Sequence, residues 1–292
     1  TDRRFFARTG EVLYLMLCRS RGAEQLRTLL VDRFLQNPAP YDGMVKALQG
    51  DAQFAKSERA GAFLPIAEHP VFDRLAEDWL AILNLPIPAY DAIPHLVAIT
   101  GLNLILYQLK RGSEVLERQA PNLVCEIVSP KKSVVRDLSA DSYYANNALP
   151  QQAIERFIRD VGATPEWTAA VASDDSTLEA AELLQKAFDW PEPDDLEEGS
   201  VSPERLIEML VEKAVVRHKQ HVGKIHMTWA RAIGLSSRRS SRRVRYAPTD
   251  RLLKTLVVTC VPRRIEFKDF LAVLAERYGL IIGDQQARAF VE

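Results

Sequence analysis

The feature that most restricts how this chain folds is one long apolar run, IPHLVAITGLNLILYQL, from Ile93 to Leu109. Exposing such a run to water is unfavourable, so other apolar surfaces have to cover it. A bilayer core would penalise the polar groups that it contains. Four residues interrupt it and suit a bilayer core poorly: Pro94, His95, Asn103 and Gln108. The run therefore predicts a buried helix in the core of a folded domain rather than a membrane span.

Amphipathic segments on both sides of this run supply surfaces that can cover it. The stretches RRFFARTGEVLYLMLCRS, GAEQLRTLLVDRFLQNP and HPVFDRLAEDWLAILNLP carry apolar residues at helical spacing, and prolines end the last two. Further along, Ser202 and Pro203 are a typical N-cap and first-turn pair, and Thr249 or Asp250 caps a later helix. The sequence therefore predicts a mainly α fold.

Two short apolar runs are typical of strands rather than helices. PNLVCEIVSP, from Pro121 to Pro130, is rich in β-branched residues and bounded by prolines, and GLIIG near the C-terminus suits a short strand. We expect a minor β element, a small hairpin rather than a doubly wound sheet. The order helix, turn, helix, short strand after residue 249 is compatible with a winged-helix-like unit and equally with a plain helical hairpin.

Charge is distributed unevenly although the formal net charge of the 292 residues is only −1. Residues 173–208 hold twelve acidic and two basic residues, a net charge of −10, whereas residues 210–254 hold two acidic and twelve basic residues, a net charge of +10. This pattern predicts a helical domain with a short β element over 1–172, an acidic linker over 173–201 and a basic helical domain over 202–292.

The basic part contains GLSSRRSSRRVRYAPTD, with five arginines in eight residues. Guanidinium groups stay charged and form paired hydrogen bonds to phosphate, so this segment is a candidate nucleic-acid contact. Trp229 and Tyr246 flank it and would stack on bases if the partner is single-stranded. The alternatives are a solvated loop that pairs with the acidic stretch and a contact with an acidic protein. The predicted contact residues are Arg238, Arg239, Arg242, Arg243 and Arg245, with Lys224 and Arg231 beside them.

Three histidines, at positions 218, 221 and 226, lie in the same basic region. The spacing of His218 and His221 would place them on one helical face, which suits a bridging metal ion. Neighbouring lysines and arginines would repel a cation, so we expect these histidines to extend the basic surface instead. No metal site and no cofactor is predicted.

A strand carboxylate followed by a lysine, Glu126 and Lys131, is typical of metal-dependent nucleases. Four residues separate the two, so they would not share a strand face at the required spacing, and Glu126 is expected to pair with a nearby base or to cap a loop. The phosphate-binding motifs GxxxxGK[ST] and GxGxxG, the GxSxG elbow and HExxH are also absent from the sequence. The chain is more typical of a binding protein than of an enzyme.

Cysteine usage favours a reducing compartment. The three cysteines lie far apart among apolar neighbours and form no CxxC pair. The opening TDRRFFARTG contains no apolar signal region. These features predict a cytoplasmic protein without membrane contact.

RRFFARTGEVLYLML near the start, taken with YAPTDRLLKTLVVTCV and EFKDFLAVLAERYGLIIGD near the end, resembles uncharacterised helical proteins encoded in bacterial anti-phage defence islands. The resemblance covers about the first 20 and the last 45 residues. It implies an accessory, DNA-engaging subunit of an antiviral defence complex, with the other subunits of the complex as partners. No catalytic residue is carried over from it. The alternative functions are a pure protein-interaction subunit and a divergent metal-dependent nuclease.

Overall fold

The computed structural model describes residues 2–36, 64, 66–127, 134–188, 190, 201–221, 223–238 and 243–282. Most of these residues are helical, and the strands are two or three residues long. The prediction of a mainly α fold with a minor β element is therefore confirmed.

The helices follow the predicted apolar stripes and caps. Ser202 Oγ accepts from Arg205 N at 3.3 Å, and Thr249 Oγ1 accepts from Leu252 N at 3.4 Å, as predicted for N-caps. The bounds are α1 Asp2–Cys18, α2 Ala23–Leu30 with a π-helical continuation Val31–Gln36, α3 Pro70–Leu83, α4 Ala89–Val115, α5 Val134–Arg159 with a 3-10 turn Asp160–Ala163, α6 Pro165–Val171, α7 Ser176–Phe188, α8 Pro203–His221, α9 Ile225–Ala232, α10 Asp250–Cys260 and α11 Phe267–Tyr278.

Both predicted strands form, but they pair with each other. Strand β1, Leu123–Cys125, lies parallel to β4, Leu280–Ile282, with Leu123 opposite Leu280. The expected small hairpin at β1 is therefore wrong, because parallel strands require a long connection between them. A hairpin does form elsewhere, between β2, Ser236–Ser237, and β3, Arg245–Tyr246.

The winged-helix part of the C-terminal prediction stays a prediction. Helices α10 and α11 and the following strand lie in the expected order. The strand after α11 pairs in parallel with β1, and the antiparallel hairpin precedes α10.

The chain divides into two compact units at different points from those that charge predicted. One unit comprises 1–107, 122–143 and 228–292, and the other comprises 108–121 and 144–227. This division differs from the predicted one at 172, and α7 lies within the predicted acidic linker over 173–201, of which 189 and 191–200 lie outside the described residues. Its acidic side chains lie on one face, while Ala180, Ala181 and Leu184 are buried on the other.

The second unit has its own apolar core. Trp167, Trp190, Leu206 and Leu210 are buried in it together with the apolar face of α7. Burial of this kind stabilises a folded unit by roughly 25 cal/mol for each Å² of apolar surface removed from water. The acidic side chains of α7 therefore lie on the surface of a folded unit.

Helix α4 contains the long apolar run. Asn103 is fully buried, and so are Ile99, Leu102 and Ile105. Within the described part of the chain, α4 is the one helix whose length and composition would suit a membrane span, and 67% of its most apolar window is buried in the fold.

A buried polar network in the first unit joins α3, α4 and α11 around Asp78, which has no exposed surface. Its Oδ1 accepts from Arg277 Nη2 at 2.7 Å and from Tyr278 Oη at 2.8 Å. Its Oδ2 accepts from Asn103 Nδ2 at 2.8 Å. A buried carboxylate needs such partners, since an unpaired charge in a protein interior is strongly destabilising.

Burial raises the pKa of Asp78, and the attraction of Arg277 and the hydrogen bonds oppose this effect. Burial and the charge of Asp78 raise the pKa of Tyr278, so its hydroxyl keeps the proton that it donates. Burial disfavours the charge on Arg277, but Asp78 more than offsets this, and the pKa of the guanidinium is raised. Asp78 and Arg277 therefore stabilise each other, and two further charged groups lie beside them: Glu77, whose Oε2 is 2.9 Å from Arg277 Nη1, and the guanidinium of Arg74, which Asp78 attracts and Arg277 repels.

We expect Arg277→Met to lower the free energy of unfolding by about 3–5 kcal/mol at neutral pH, because it removes the guanidinium that is hydrogen-bonded to the buried Asp78. Its removal raises the pKa of Asp78 further above the value in the unfolded chain. A carboxyl with a raised folded pKa binds its proton more tightly in the native state, so stability falls as pH rises through that pKa. The difference in unfolding free energy between wild type and Arg277→Met should therefore be smaller at mildly acid pH than at neutral pH. Urea unfolding of both proteins at the two pH values measures it.

The matched control is Lys268→Met on the same helix. The Lys268 side chain is 79% exposed, and its Nζ lies 3.2 Å from Glu266. This variant should differ little from wild type at either pH. A deficit of Arg277→Met that does not change with pH would contradict the role given to Asp78.

Candidate nucleic-acid interface

The predicted arginine segment lies on the β2–β3 hairpin of the first unit. Ser236 is opposite Tyr246, and Ser237 is opposite Arg245. Residues 238–244 connect the two strands along the chain, and the structure describes 238, 243 and 244 of them. Four of the five arginines therefore belong to the connection between the paired strands, and the fifth, Arg245, is the first residue of β3.

The base of the hairpin is closed by Gly234 and Thr249. Gly234 has a φ of +78°, in the left-handed region that favours glycine. A Cβ at this position would lie 2.2 Å from Thr249 Oγ1. Thr249 N donates to Gly234 O at 2.8 Å, and Ala247 N donates to Leu235 O at 2.9 Å. These bonds continue the strand pairing down to Thr249, the N-cap of α10.

Arg245 is buried in the hairpin and pairs with Glu126. Arg245 is 2% exposed and Glu126 is 5% exposed. Arg245 Nε lies 2.6 Å from Glu126 Oε2. Arg245 is therefore removed from the predicted phosphate contacts, because in this fold its guanidinium is used inside the protein. The sequence prediction that Glu126 pairs with a basic side chain agrees with this contact.

Tyr246 ties the second strand of the hairpin to β1 and α5. Its carbonyl oxygen accepts from Glu126 N at 2.9 Å and from Ser139 Oγ at 2.8 Å. Its ring has no exposed surface and lies edge-on against Tyr143, with 5.3 Å between the ring centroids. The predicted stacking of Tyr246 on bases is therefore wrong for this fold.

The second aromatic side chain predicted to stack, Trp229, is half-buried. It packs against an apolar cluster that includes Leu15, Met16 and Leu104. Its ring therefore has a structural role in the core of the first unit.

The remaining predicted contact residues differ in their placement. Arg238 and Arg243 are exposed in the connection, and Arg231 is exposed on α9. Lys224 is exposed as well, but it belongs to the second unit. Arg239 and Arg242 lie outside the described residues. Arg238 and Arg243 are therefore the two described arginines of the hairpin connection that face solvent.

We expected the histidines of the basic region to extend its charged surface, but the two whose side chains the structure describes are buried. His218 is 6% exposed and His226 is 2% exposed. Burial lowers the pKa of both imidazoles, and that of His226 falls to about 4, so His226 is neutral near pH 7. The side chain of His221 lies outside the described residues. Within the described ranges, no group of three or more His, Cys, Asp or Glu side chains is placed to hold a metal ion.

The nuclease hypothesis requires a Glu126 carboxylate that is available to a metal ion. In this structure that carboxylate is buried against a guanidinium. Lys131, its proposed partner, lies outside the described residues. The geometry at Glu126 therefore favours a structural role.

The first unit also contains an apolar pocket of about 590 Å³. Trp79 Nε1 donates to Thr100 Oγ1 at 2.9 Å in its wall. Ile93 and Val97 on α4 are 47% and 58% exposed beside it. The other lining residues come from α1, α2 with its continuation, α4, α9 and the residue after α9: Thr9, Gly10, Leu13, Leu30, Phe34, Leu96, Gly101, Leu104, Trp229, Ala232 and Ile233.

One signal in the sequence distinguishes Arg245 from the other four arginines. Its neighbours Val244, Tyr246 and Ala247 are apolar, whereas serines lie beside the other arginines at positions 236, 237, 240 and 241. An arginine within an apolar run is typical of a buried, paired side chain.

Comparisons with protein-family models, with curated proteins and with solved structures found no match to this chain. Its function is therefore inferred from the geometry of its own residues.

We expect Gly234→Ala to destabilise the protein by about 1–2 kcal/mol or more, because alanine is disfavoured at positive φ and its Cβ would collide with Thr249. The control is Gly10→Ala in α1, where a Cβ meets no atom within 4 Å. The control should be neutral or slightly stabilising, by up to about 1 kcal/mol. Thermal and urea unfolding of both variants measure the two changes in stability, which should differ in sign. Equal changes would contradict the strain that we assign to position 234.

We expect Arg245→Met to cost about 3–5 kcal/mol of unfolding free energy, because it leaves Glu126 buried as an unpaired carboxylate. Adding Glu126→Met should recover much of this loss, since two apolar side chains replace a buried pair of similar volume. A double-mutant cycle measured by urea unfolding gives the coupling between the two residues.

The control for this cycle is the exposed pair of Arg205 and Glu212, whose Nη1 and Oε1 atoms are 3.0 Å apart. Arg205→Met should cost no more than about 1 kcal/mol. If the changes in unfolding free energy of Glu126→Met and Arg245→Met simply add up in the double variant, the two side chains do not stabilise each other, which would contradict the prediction.

Proposed function

We propose that this chain is an accessory subunit that binds DNA by its phosphates, through the arginines that connect β2 and β3. The observation that carries the proposal is a hairpin with a buried, paired base and exposed arginines in its connection. A fixed base reduces the conformational entropy that the loop loses on binding. Guanidinium groups suit phosphate because they donate two parallel hydrogen bonds.

The resemblance to proteins of bacterial anti-phage defence islands supports membership in a defence complex. A subunit of this kind would bring DNA to other subunits that carry the catalytic activity. The charge distribution supports the same role, because the net basic stretch includes the hairpin while the acidic stretch lies in the other unit.

A second candidate function is a protein-interaction subunit without nucleic-acid contact. The apolar pocket and the exposed Ile93 and Val97 favour it, since contiguous exposed apolar surface is typical of interaction sites. In that case the hairpin arginines would contact an acidic protein face.

We expect the double variant Arg238→Ala with Arg243→Ala to bind duplex DNA more weakly and to reduce the slope of log affinity against log salt by about 1.8, or 0.9 for each lost phosphate contact. Both side chains are exposed, so the fold should be unaffected. Fluorescence anisotropy with labelled DNA over a salt series measures the affinity and the slope.

The matched control is Arg217→Ala with Lys219→Ala. Both are exposed on α8, and their loss removes the same charge from the same basic stretch of sequence. The control should retain most of the affinity and the salt slope. Equal losses in the two variants would assign the binding to overall charge, and a wild-type protein that binds no DNA would favour the protein-interaction function.

A further inference from the structure

The apolar pocket of the first unit is a concave site that the proposed DNA contact does not use. Helices α1 to α4 and α9 contribute to its walls, and its volume is about 590 Å³. Pockets of roughly 300–1,000 Å³ with mainly apolar walls are typical of sites for small organic molecules. The described residues that line this one carry no charge. A charged ligand would therefore lose its hydration there without gaining an ionic partner, so the walls favour an uncharged ligand.

Three of the lining side chains are aromatic: Phe34, Trp79 and Trp229. All three are half-buried, so part of each ring remains open to a ligand. Aromatic rings attract other rings in offset or edge-on arrangements beyond the effect of apolar burial alone. An apolar cavity of about 150 Å³ is large enough for benzene, so a pocket of this volume has room for about two to four rings. The walls therefore suit an aromatic ligand.

One polar group in the wall is placed to orient such a ligand. Thr100 is 9% exposed, and its Oγ1 accepts from Trp79 Nε1 at 2.9 Å. A hydroxyl also has a hydrogen to donate. In α10, Thr255 donates its own to the carbonyl oxygen of Arg251 at 3.0 Å. The Thr100 hydroxyl makes no such bond within the part of the chain that the structure describes, so its hydrogen is available to an acceptor in the pocket.

We propose that the pocket binds an uncharged aromatic small molecule whose hydrogen-bond acceptor takes the hydroxyl hydrogen of Thr100. Ile93 and Val97 line the pocket and are 47% and 58% exposed, so a ligand there would remove apolar surface from water. Burial supplies the affinity, and the single hydrogen bond fixes the orientation. The proposal does not depend on DNA binding, because none of the lining residues belongs to the β2–β3 hairpin.

The first test titrates the full chain with N-phenyl-1-naphthylamine, an uncharged aromatic probe whose fluorescence rises in apolar surroundings. We expect saturable binding of one probe to each wild-type chain. Val97→Asp places a carboxylate against the bound probe, and desolvation of that charge should weaken binding at least about tenfold. Val97 is exposed, so the fold should persist in the variant, which circular dichroism checks.

The matched control is Val257→Asp on α10. Val257 is 44% exposed and does not line the pocket. The control adds the same charge at an exposed helical valine of the same unit, and it should bind the probe as wild type does. Equal losses in the two variants would overturn the proposal. A wild-type protein that does not bind the probe would also overturn it and would leave the pocket to a protein partner.

A second test addresses Thr100 with 9-fluorenone and fluorene, two ligands of one shape of which the first carries a carbonyl acceptor. Each displaces the fluorescent probe, and the displacement gives the ratio of the two affinities. This ratio should favour 9-fluorenone about fivefold more in wild type than in Thr100→Val, the size expected for one net hydrogen bond. Thr100→Ser keeps the hydroxyl and should keep the wild-type ratio. A ratio that is the same in wild type and Thr100→Val would overturn the role proposed for Thr100.

Discussion

The buried pair of Glu126 and Arg245 is the interaction on which the arrangement of the basic hairpin depends. Both side chains are more than nine-tenths buried, where either charge alone would be strongly destabilising. Each residue therefore fixes the other. Glu126 directly follows β1, and Arg245 begins β3, so the pair joins the middle of the chain to its C-terminal third. The backbone hydrogen bond from Glu126 N to Tyr246 O is a second connection between the same two segments, a junction of β1 with β3.

The same junction is connected to the network around Asp78. Arg277 and Tyr278, which bind Asp78, are the last two residues of α11. Gly279 then takes a left-handed conformation, with a φ of 67°, and leads directly into β4. Since β4 pairs with β1, the position of Glu126 depends on how α11 is anchored. Two buried carboxylates, each with its own arginine, thus hold successive parts of one unit.

Much of the helical fold could be predicted from the sequence, because helix periodicity and caps are local properties. Ser202 and Thr249 cap the helices for which they were predicted. The pairing of β1 with β4 could not be predicted, because the two strands are far apart in sequence and no residue pattern in either strand identifies the other. The helix α7 inside the predicted acidic linker was missed for a related reason. Charge describes the outer face of a helix, whereas the burial of Leu184 on the other face of α7 depends on residues from elsewhere in its unit.

The candidate site shows the same limit in the behaviour of its arginines. Five arginines look equivalent as charges, yet Arg245 is buried while Arg238 and Arg243 are exposed. An ion pair is a costly way to fill a protein interior, since apolar residues of the same volume are often as stable. It does, however, select one register. Successive side chains of a strand point to opposite faces, so a shift of one residue would turn Arg245 away from Glu126 and bring Val244 to its place. In that register a buried carboxylate would lose its cation. The pair therefore determines that Arg245 faces the interior while Arg238 and Arg243 face the solvent.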